Sequence, residues 1–295
     1  MSSFNKELSL AIKLVKKASE ITEWFRKEKI LSFKKEDESP VTLADFASQI
    51  FIISKIKELF PEDQIIAEED SGSGAFINLN AEDIIKKCYN SLNLVIEDDF
   101  TDTLNYRGLV SKRQWTIDPI DGTKGFQKHL AYAIGIGFMV QSEPTVCAIS
   151  VPNYIERNLT IFSAEKNHGA KVSYGNQNFT PIKVSENKIF KNFRMCHSLH
   201  YNKPWVKNFA RSLDITYFVP MDSMAKLCMV ADGTADLYIK PLNINRSFTW
   251  DFLPGDLLVK EAGGTITDLN GNSIIYLNEK CIVTAPGHCF QWGFA

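Results

Sequence analysis

The chain of 295 residues is 44% hydrophobic and 23% charged, with 33 Lys and Arg against 35 Asp and Glu and a net charge of -2. This is the balance of a globular protein with a sizeable core, not of a disordered or fibrous chain, and at roughly 150 residues per domain it predicts two lobes. No global basic field is present to wrap a nucleic-acid polymer, and six cysteines without a C-x-x-C pair argue against a zinc finger or thiol-redox enzyme and for free thiols in a reducing compartment.

From the N-terminus, Phe4, Leu8, Ile12, Val15 and Ile21 recur at helical spacing with Glu7, Lys13, Lys16, Lys17 and Glu20 between them, predicting an amphipathic helix over 4–25. Those charges interrupt any signal-peptide core, and the acidic ones argue against a transit peptide. No stretch is long and apolar enough to span a bilayer, so a cytoplasmic protein without a membrane partner is expected. After a polar segment over 34–40, Phe46, Ile50, Ile53, Ile56 and Phe60 predict a second helix, with Thr42 as N-cap and Pro61 as its stop. The strand Ile65-Ile66-Ala67 then runs into Glu68-Glu69-Asp70 and the loop Ser71-Gly72-Ser73-Gly74, which leaves carboxylates at a strand end. Residues 80–113 show no assignable period, and their acidic run Glu97-Asp98-Asp99 reads as solvated surface.

Gln114-Trp115-Thr116-Ile117 reads as a strand that breaks at Asp118-Pro119-Ile120-Asp121-Gly122-Thr123, because proline removes a donor and glycine permits a positive φ. From Ala131 to Val172, short β-rich runs separated by turn residues predict an antiparallel meander. Beyond about residue 185 helices and strands alternate, with helices near 204–212, over 223–231 and over 252–262, a strand over 235–240, and Gly263-Gly264 closing the last helix. The lobes are therefore expected to span 1–185 and 186–295.

Three sets of carboxylates stand out: Glu68/Glu69, Asp118/Asp121 and Asp251. Alone, Glu68-Glu69-Asp70 would be a solvated loop and Asp251 an ordinary N-cap. In the D-P-I-D-G-T turn, however, two carboxylates three residues apart can face one point with the Ile120 carbonyl exposed between them. Hard divalent cations take several oxygen ligands, and Mg²⁺ combines one or two carboxylates with water and phosphate oxygens. Glu68, Asp118, Asp121, Asp251 and a backbone carbonyl can form two such sites sharing Asp118, the arrangement that serves phosphate-ester hydrolysis.

Ile66-Ala67-Glu68-Glu69, the run from Trp115 to Thr123, and Trp250-Asp251 followed by Glu261-Ala262-Gly263-Gly264 resemble, in order, the signatures of the lithium-sensitive, Mg²⁺-dependent phosphomonoesterase superfamily that includes inositol monophosphatase. Lys124-Gly125-Phe126 and the run from Ser39 to Asp45 resemble its 3'(2'),5'-bisphosphate nucleotidase branch. The resemblance spans about residue 35 to about 270. It implies one Mg²⁺ on Glu68, Asp118 and the Ile120 carbonyl, a second on Asp118, Asp121 and Asp251, Glu69 acting through water, room for a third weaker ion near Glu68, and inhibition by Li⁺. It further implies that Thr123, oriented by Asp45, polarises the attacking water, and that Gly122 presents backbone N–H groups to the phosphate.

Asp222-Ser223-Met224-Ala225-Lys226 resembles the branch's adenosine-phosphate motif, implying that Ser223 and Lys226 touch substrate. Lys240 stands where relatives carry arginine, keeping charge but losing bidentate geometry. His200 reads equally as a base or phosphate contact and as an ordinary histidine. Two departures from the pattern are Gln127-Lys128-His129 after Phe126 and Leu253-Pro254 after Asp251. The implied fold is a layered α+β/α-β-α architecture, an antiparallel-sheet lobe plus a smaller C-terminal α/β lobe with the ligand between them. The implied reaction is removal of the 3'-phosphate of adenosine 3',5'-bisphosphate, and of its 5'-phosphosulfate analogue, with a small nucleotide as the partner. The alternatives are an inositol polyphosphate 1-phosphatase or inositol monophosphatase on the same metal core, and a non-catalytic metal- or nucleotide-binding paralogue.

Overall fold

The computed structural model describes residues 4–28, 32–34, 40–73, 81–156, 159–200, 204–241, 248–268, 270–282 and 289–292; Ser39 and Gly74 of the motifs above lie outside the described residues. Helix α1 (Asn5–Lys27) buries Leu10, Leu14, Ala18, Ile21 and Phe25, a stripe at three- and four-residue steps. Phe4, Leu8 and Ile12 lie at the margin of that stripe and are only partly buried. The ribbon β1 (Ser32–Lys34) and β2 (Pro40–Thr42) leads into α2 (Leu43–Leu59). Thr42 is its N-cap: Thr42 Oγ1 accepts the Ala44 N–H at 3.2 Å and Asp45 Oδ2 accepts the Thr42 N–H at 2.8 Å. Every residue of α2 from Leu43 to Ile53 is buried, including Asp45, Ser48 and Gln49.

Strand β3 (Gln64–Ala67) follows, and the segment without a sequence period holds α3 (Ala81–Ser91) and α4 (Phe100–Asn105). The acidic run is surface, as expected: Lys57 donates to Asp98 at 2.8 Å, and Asp99 caps α4 by accepting the Asp102 N–H at 2.9 Å. Strand β4 (Arg113–Asp121) continues through the proline instead of ending at Ile117, and α5 (Thr123–Gln127) follows. The meander is β5 (Ala133–Val140), β6 (Glu143–Pro152), β7 (Leu159–Glu165), β8 (Ala170–Tyr174) and β9 (Thr180–Pro181). With β3 and β4 it forms a seven-stranded sheet in chain order, in which β3 and β4 pair in parallel and the rest antiparallel.

The remainder is β10 (Arg194–His197), α6 (Pro204–Ser212), β11 (Tyr217–Pro220), α7 (Ala225–Ala231), β12 (Leu237–Pro241), α8 (Thr249–Glu261), β13 (Ile266–Asp268), the ribbon β14 (Ile275–Leu277) and β15 (Lys280–Ile282), and β16 (Cys289–Trp292). A five-stranded mixed sheet has the order β11-β10-β12-β16-β13. Alternation along its strands separates two cores. Met195, Leu237 and Ile239 pack with Val206 and Ala210 of α6, whereas Cys196 and Tyr238 join the core of α7 and α8. Helices α1 and α2 cover one face of the large sheet and α7 and α8 fill the space between the sheets, giving α-β-α-β-α layers.

Close approach of α8 and of the turn ahead of α7 depends on two glycines of β5. A Cβ at Gly137 would stand 2.4 Å from Leu253 Cδ2, and one at Gly135 would stand 2.6 Å from Met224 Sδ. Pro254 lies inside α8, which starts at Thr249 rather than at Phe252, and its ring packs over the same two glycines. Cys88, Cys147, Cys196, Cys228 and Cys281 are free and buried, as the spacing predicts.

Candidate active site

Parallel pairing of β3 with β4 sets Ala67 opposite Ile117, and the Glu68 N–H donates to the Ile117 carbonyl at 3.2 Å. The next residue on each strand is a carboxylate, so Glu68 emerges beside Asp118 at the same sheet end. Register against β5 shifts between Asp118 and Asp121, where Pro119 cannot donate to the ladder. This irregularity turns Asp118 and Asp121 toward one point. Asp251 joins them from the first turn of α8. It does not cap that helix: Phe248 occupies the N-cap without a side-chain bond, leaving the Asp251 carboxylate for the cluster. Oxygens of Asp118, Asp121 and Asp251 all lie within 4.8 Å of one another.

The electrostatics follow from that crowding. Burial, then the charges of Glu68, Asp121 and Asp251, push the Asp118 carboxyl well above its usual range, and Glu68 shares a hydrogen bond with it. Burial and Asp251 raise Asp121 to about 6 against the opposing pull of Lys226, Lys240 and the Met224 N–H, which donates to Asp121 Oδ2. Lys226 is itself buried and lowered to about 8 by desolvation, with Asp121 and Asp222 opposing the fall. Its ammonium lies 5.2 Å from the Tyr238 ring centroid, and that of Lys240 lies 4.4 Å from the centroid of Phe252.

Glu69 is held through its backbone. Gln49 Nε2 donates to its carbonyl at 2.7 Å, its N–H donates to Gln49 Oε1 at 2.9 Å, and Arg107 donates to the same carbonyl at 2.8 Å. Gln49 thus explains the buried polar face of α2, and sequence periodicity alone did not single it out. Gly122, at φ 90, is the N-cap of α5, and Thr123 is its first helical residue. Thr123 Oγ1 donates to the Ile120 carbonyl at 3.3 Å. Asp45 lies at the start of α2, next to β2, against which α5 packs; its Oδ2 also accepts the Thr42 hydroxyl at 2.6 Å.

The motif from Asp222 to Lys226, which leads into α7, docks on this turn. A Cβ on Gly122 would lie 3.1 Å from Ser223 Cβ, so the glycine lets the two turns touch. Ser223, at φ 63, donates its hydroxyl to the Asp222 carbonyl at 2.5 Å and accepts the Ala225 N–H at 3.2 Å, stabilising the turn ahead of α7. The α7 helix therefore starts two residues later than the sequence predicts. Asp222 accepts from Ser198 Oγ at 2.8 Å and is hydrogen-bonded to His200 Nδ1. Burial works to raise it, but Ser198, Lys226 and His200 outweigh that and hold its carboxyl below the usual range. Of the expected residues, Glu68, Asp118, Asp121 and Asp251 converge with Lys226 and Lys240 nearby. His200 is reached through Asp222, a connection the sequence did not reveal.

A family match covers residues 5–293. The chain belongs to the inositol monophosphatase family. Within it, the chain is 33% identical to a Schizosaccharomyces pombe protein named 3'(2'),5'-bisphosphate nucleotidase, covering 92% of this chain and 87% of that one. It is 30% identical to an Arabidopsis thaliana protein named 3',5'-bisphosphate nucleotidase 2, covering 97% and 92%. Among solved structures, the extragenic suppressor protein suhB from Bartonella henselae matches with a TM-score of 0.68 at 17% identity over 98% and 94% of the two chains. A 2'AMP-bound SaIMPase-II matches at 0.63 and 20% over 97% and 87%. These likenesses establish the layered inositol monophosphatase fold. Among the described residues no helix is long and apolar enough to cross a membrane.

Proposed function

We propose that this protein is a Mg²⁺-dependent phosphomonoesterase that removes the 3'-phosphate of adenosine 3',5'-bisphosphate, yielding AMP and phosphate, and that accepts the 5'-phosphosulfate analogue. The observation that carries the reading is the convergence of Asp118 and Asp121 of β4 with Asp251 of α8, with Lys226 and Lys240 beside Asp121. The names of the nucleotidase relatives support the choice of substrate.

The residues fit a divalent cation. Asp118 is buried, its Oδ1 has no hydrogen-bond partner, and its neighbours are other carboxylates, an arrangement that costs free energy until positive charge arrives. An all-oxygen donor set suits Mg²⁺. Glu68, Asp118 and the Ile120 carbonyl would hold one ion and Asp118, Asp121 and Asp251 a second, with Glu69 acting through water and room for a weaker third near Glu68. When bound, such ions stabilise charge on phosphoryl oxygens and acidify coordinated water.

The remaining work falls to the chain's own groups. The Thr123 hydroxyl both donates and accepts, so it can orient the attacking water while Asp45 anchors its surroundings. Gly122 leaves backbone N–H groups of the turn for the phosphate. Lys226 and Lys240 balance the negative substrate, and the Ser223 turn and His200 line its nucleoside side. Phosphate release from adenosine 3',5'-bisphosphate and from inositol 1,4-bisphosphate, measured side by side with Mg²⁺, with EDTA and with Li⁺, tests the reading. Mg²⁺-dependent release from the nucleotide that Li⁺ suppresses is expected; faster release from the inositol substrate refutes it.

A further inference from the structure

Lys128 follows α5 on the large-sheet side, in the Gln127-Lys128-His129 segment that departs from the family pattern, and it is exposed. His200 follows β10 on the small sheet and is half-buried. The two meet across the lobes: Lys128 Nζ lies 3.0 Å from His200 Nε2, and His200 Nδ1 is hydrogen-bonded to Asp222 Oδ2. An ammonium has only donors, so Nε2 must accept. The other ring nitrogen, Nδ1, then faces Asp222 as the donor. Asp222 is held in turn, since its Oδ1 accepts the Ser198 hydroxyl at 2.8 Å and the Leu199 N–H at 2.9 Å.

The consequence is electrostatic. A lysine bound by a carboxylate has its charge cancelled, whereas one bound by a neutral nitrogen keeps it. Among the described residues Lys128 has no ion-pair partner. From the carboxylate centre outward the groups run Asp121, Lys226, Asp222, His200 and Lys128, so an uncompensated cation stands at the solvent end of the chain that begins at the metal ligands. Lys240, by contrast, stands over Phe252 and acts on Asp121, at the centre's own end.

The geometry points to Lys128 as the contact for the phosphate that is not cleaved, with His200 and Asp222 as positioning residues that hold its ammonium in place. This rests on the nucleotidase reading and adds the residue that separates a bisphosphate from a monophosphate.

The test compares adenosine 3',5'-bisphosphate with 3'-AMP, by KM in the Mg²⁺-loaded enzyme and by calorimetric Kd. Lys128→Gln, at an exposed position, is expected to raise the bisphosphate-to-monophosphate ratio of both constants by about 10-fold, the size of a lost charge-assisted contact, with Lys128→Arg restoring most of it. His200→Phe should raise the same ratio, and the double variant should show much less than the product of the single effects, because His200 acts through Lys128. Equal changes for both ligands, or none, overturn the inference, and independent effects of the two substitutions overturn the positioning role. If the wild type releases phosphate from neither nucleotide, the nucleotidase reading fails, and the calorimetric ratio still decides whether Lys128 meets the distal phosphate.

Discussion

Asp118→Asn should make the metal-free protein more stable while abolishing its response to Mg²⁺. Oxygens of Asp118, Asp121 and Asp251 lie within 4.8 Å of one another. If all were ionised, each pair would repel by about 3.5 kcal/mol at an effective dielectric near 20. Burial first, and then the charges of Glu68, Asp121 and Asp251, hold the Asp118 carboxyl well above its usual range, so keeping its charged form in the fold costs stability. An asparagine has nearly the same volume and no charge to neutralise. Relief of roughly 1–2 kcal/mol, at about 2 °C per kcal/mol for a chain of this size, predicts a melting midpoint about 2–4 °C higher in EDTA. Mg²⁺ at a hundred times its Kd should stabilise the wild type by about 2.7 kcal/mol and the variant hardly at all. Thermal melts in EDTA and in Mg²⁺, with phosphate release on the same samples, check both halves. A variant that melts below the wild type in EDTA would show that Asp118 is a structural acceptor. A variant that Mg²⁺ stabilises as much as the wild type would remove Asp118 from the metal centre.

Thr123→Ala should lower kcat by about 10²-fold with KM nearly unchanged, since the hydroxyl acts on the water and not on binding; a rise in KM at constant kcat would make Thr123 a binding group. Gly137→Ala places a methyl 2.4 Å from Leu253 Cδ2 and 2.7 Å from Thr116 Oγ1, so it should cost about 1–3 kcal/mol by prying α8 from the sheet, and an unchanged denaturation midpoint would refute that packing. Asp236 is buried, which would raise it, yet bonds from Arg194 at 2.8 and 3.0 Å and from Ser185 hold it below its usual 3.8. Its folded value being depressed, this stabilisation is present above the unfolded value and is lost as pH falls through the lower folded one. Arg194→Gln should therefore cost roughly 1–3 kcal/mol at neutral pH, discounted for the partial exposure of Arg194, and progressively less as pH falls below the usual 3.8 of Asp236; a loss that does not change with pH would refute the pairing.

Much of the carboxylate centre was legible because Glu68 follows the end of β3 and Asp121 ends β4, where a two-residue period stops and polar residues follow. Pro119 and Gly122 announce an irregular turn on their own chemistry. The strand's continuation to Asp121 was hidden by the same proline, which breaks the ladder without ending the extended backbone. Asp251 shows the weakness of local rules: an acid ahead of a helical pattern reads as a cap, and only the start of α8 at Thr249 frees it for the cluster. Helices α3 and α4 were missed because each is short and half exposed, so no long apolar period marks them. Gln49 was invisible because a buried helix shows a period only on the face that meets other apolar groups, and its partner, Glu69, lies 20 positions away.

The contacts that no local reading can supply join β4 and α5 to the segments around β10 and α7. Within a stretch of eight residues, Asp121 accepts the Met224 N–H, Gly122 packs on Ser223, and Lys128 meets His200. These crossings bind residues 72 to 103 positions apart, so none leaves a trace in local periodicity. Together they join the carboxylate centre to the turn that carries Lys226 and to His200. Asp121 serves as both acid of the cluster and acceptor for the turn that carries Lys226, so a displacement at either end is felt at the other. A methyl at Gly122, strained by its φ of 90, would stand 3.1 Å from Ser223 Cβ and press on the turn that carries Lys226, and with it on the positive charge that faces the cluster.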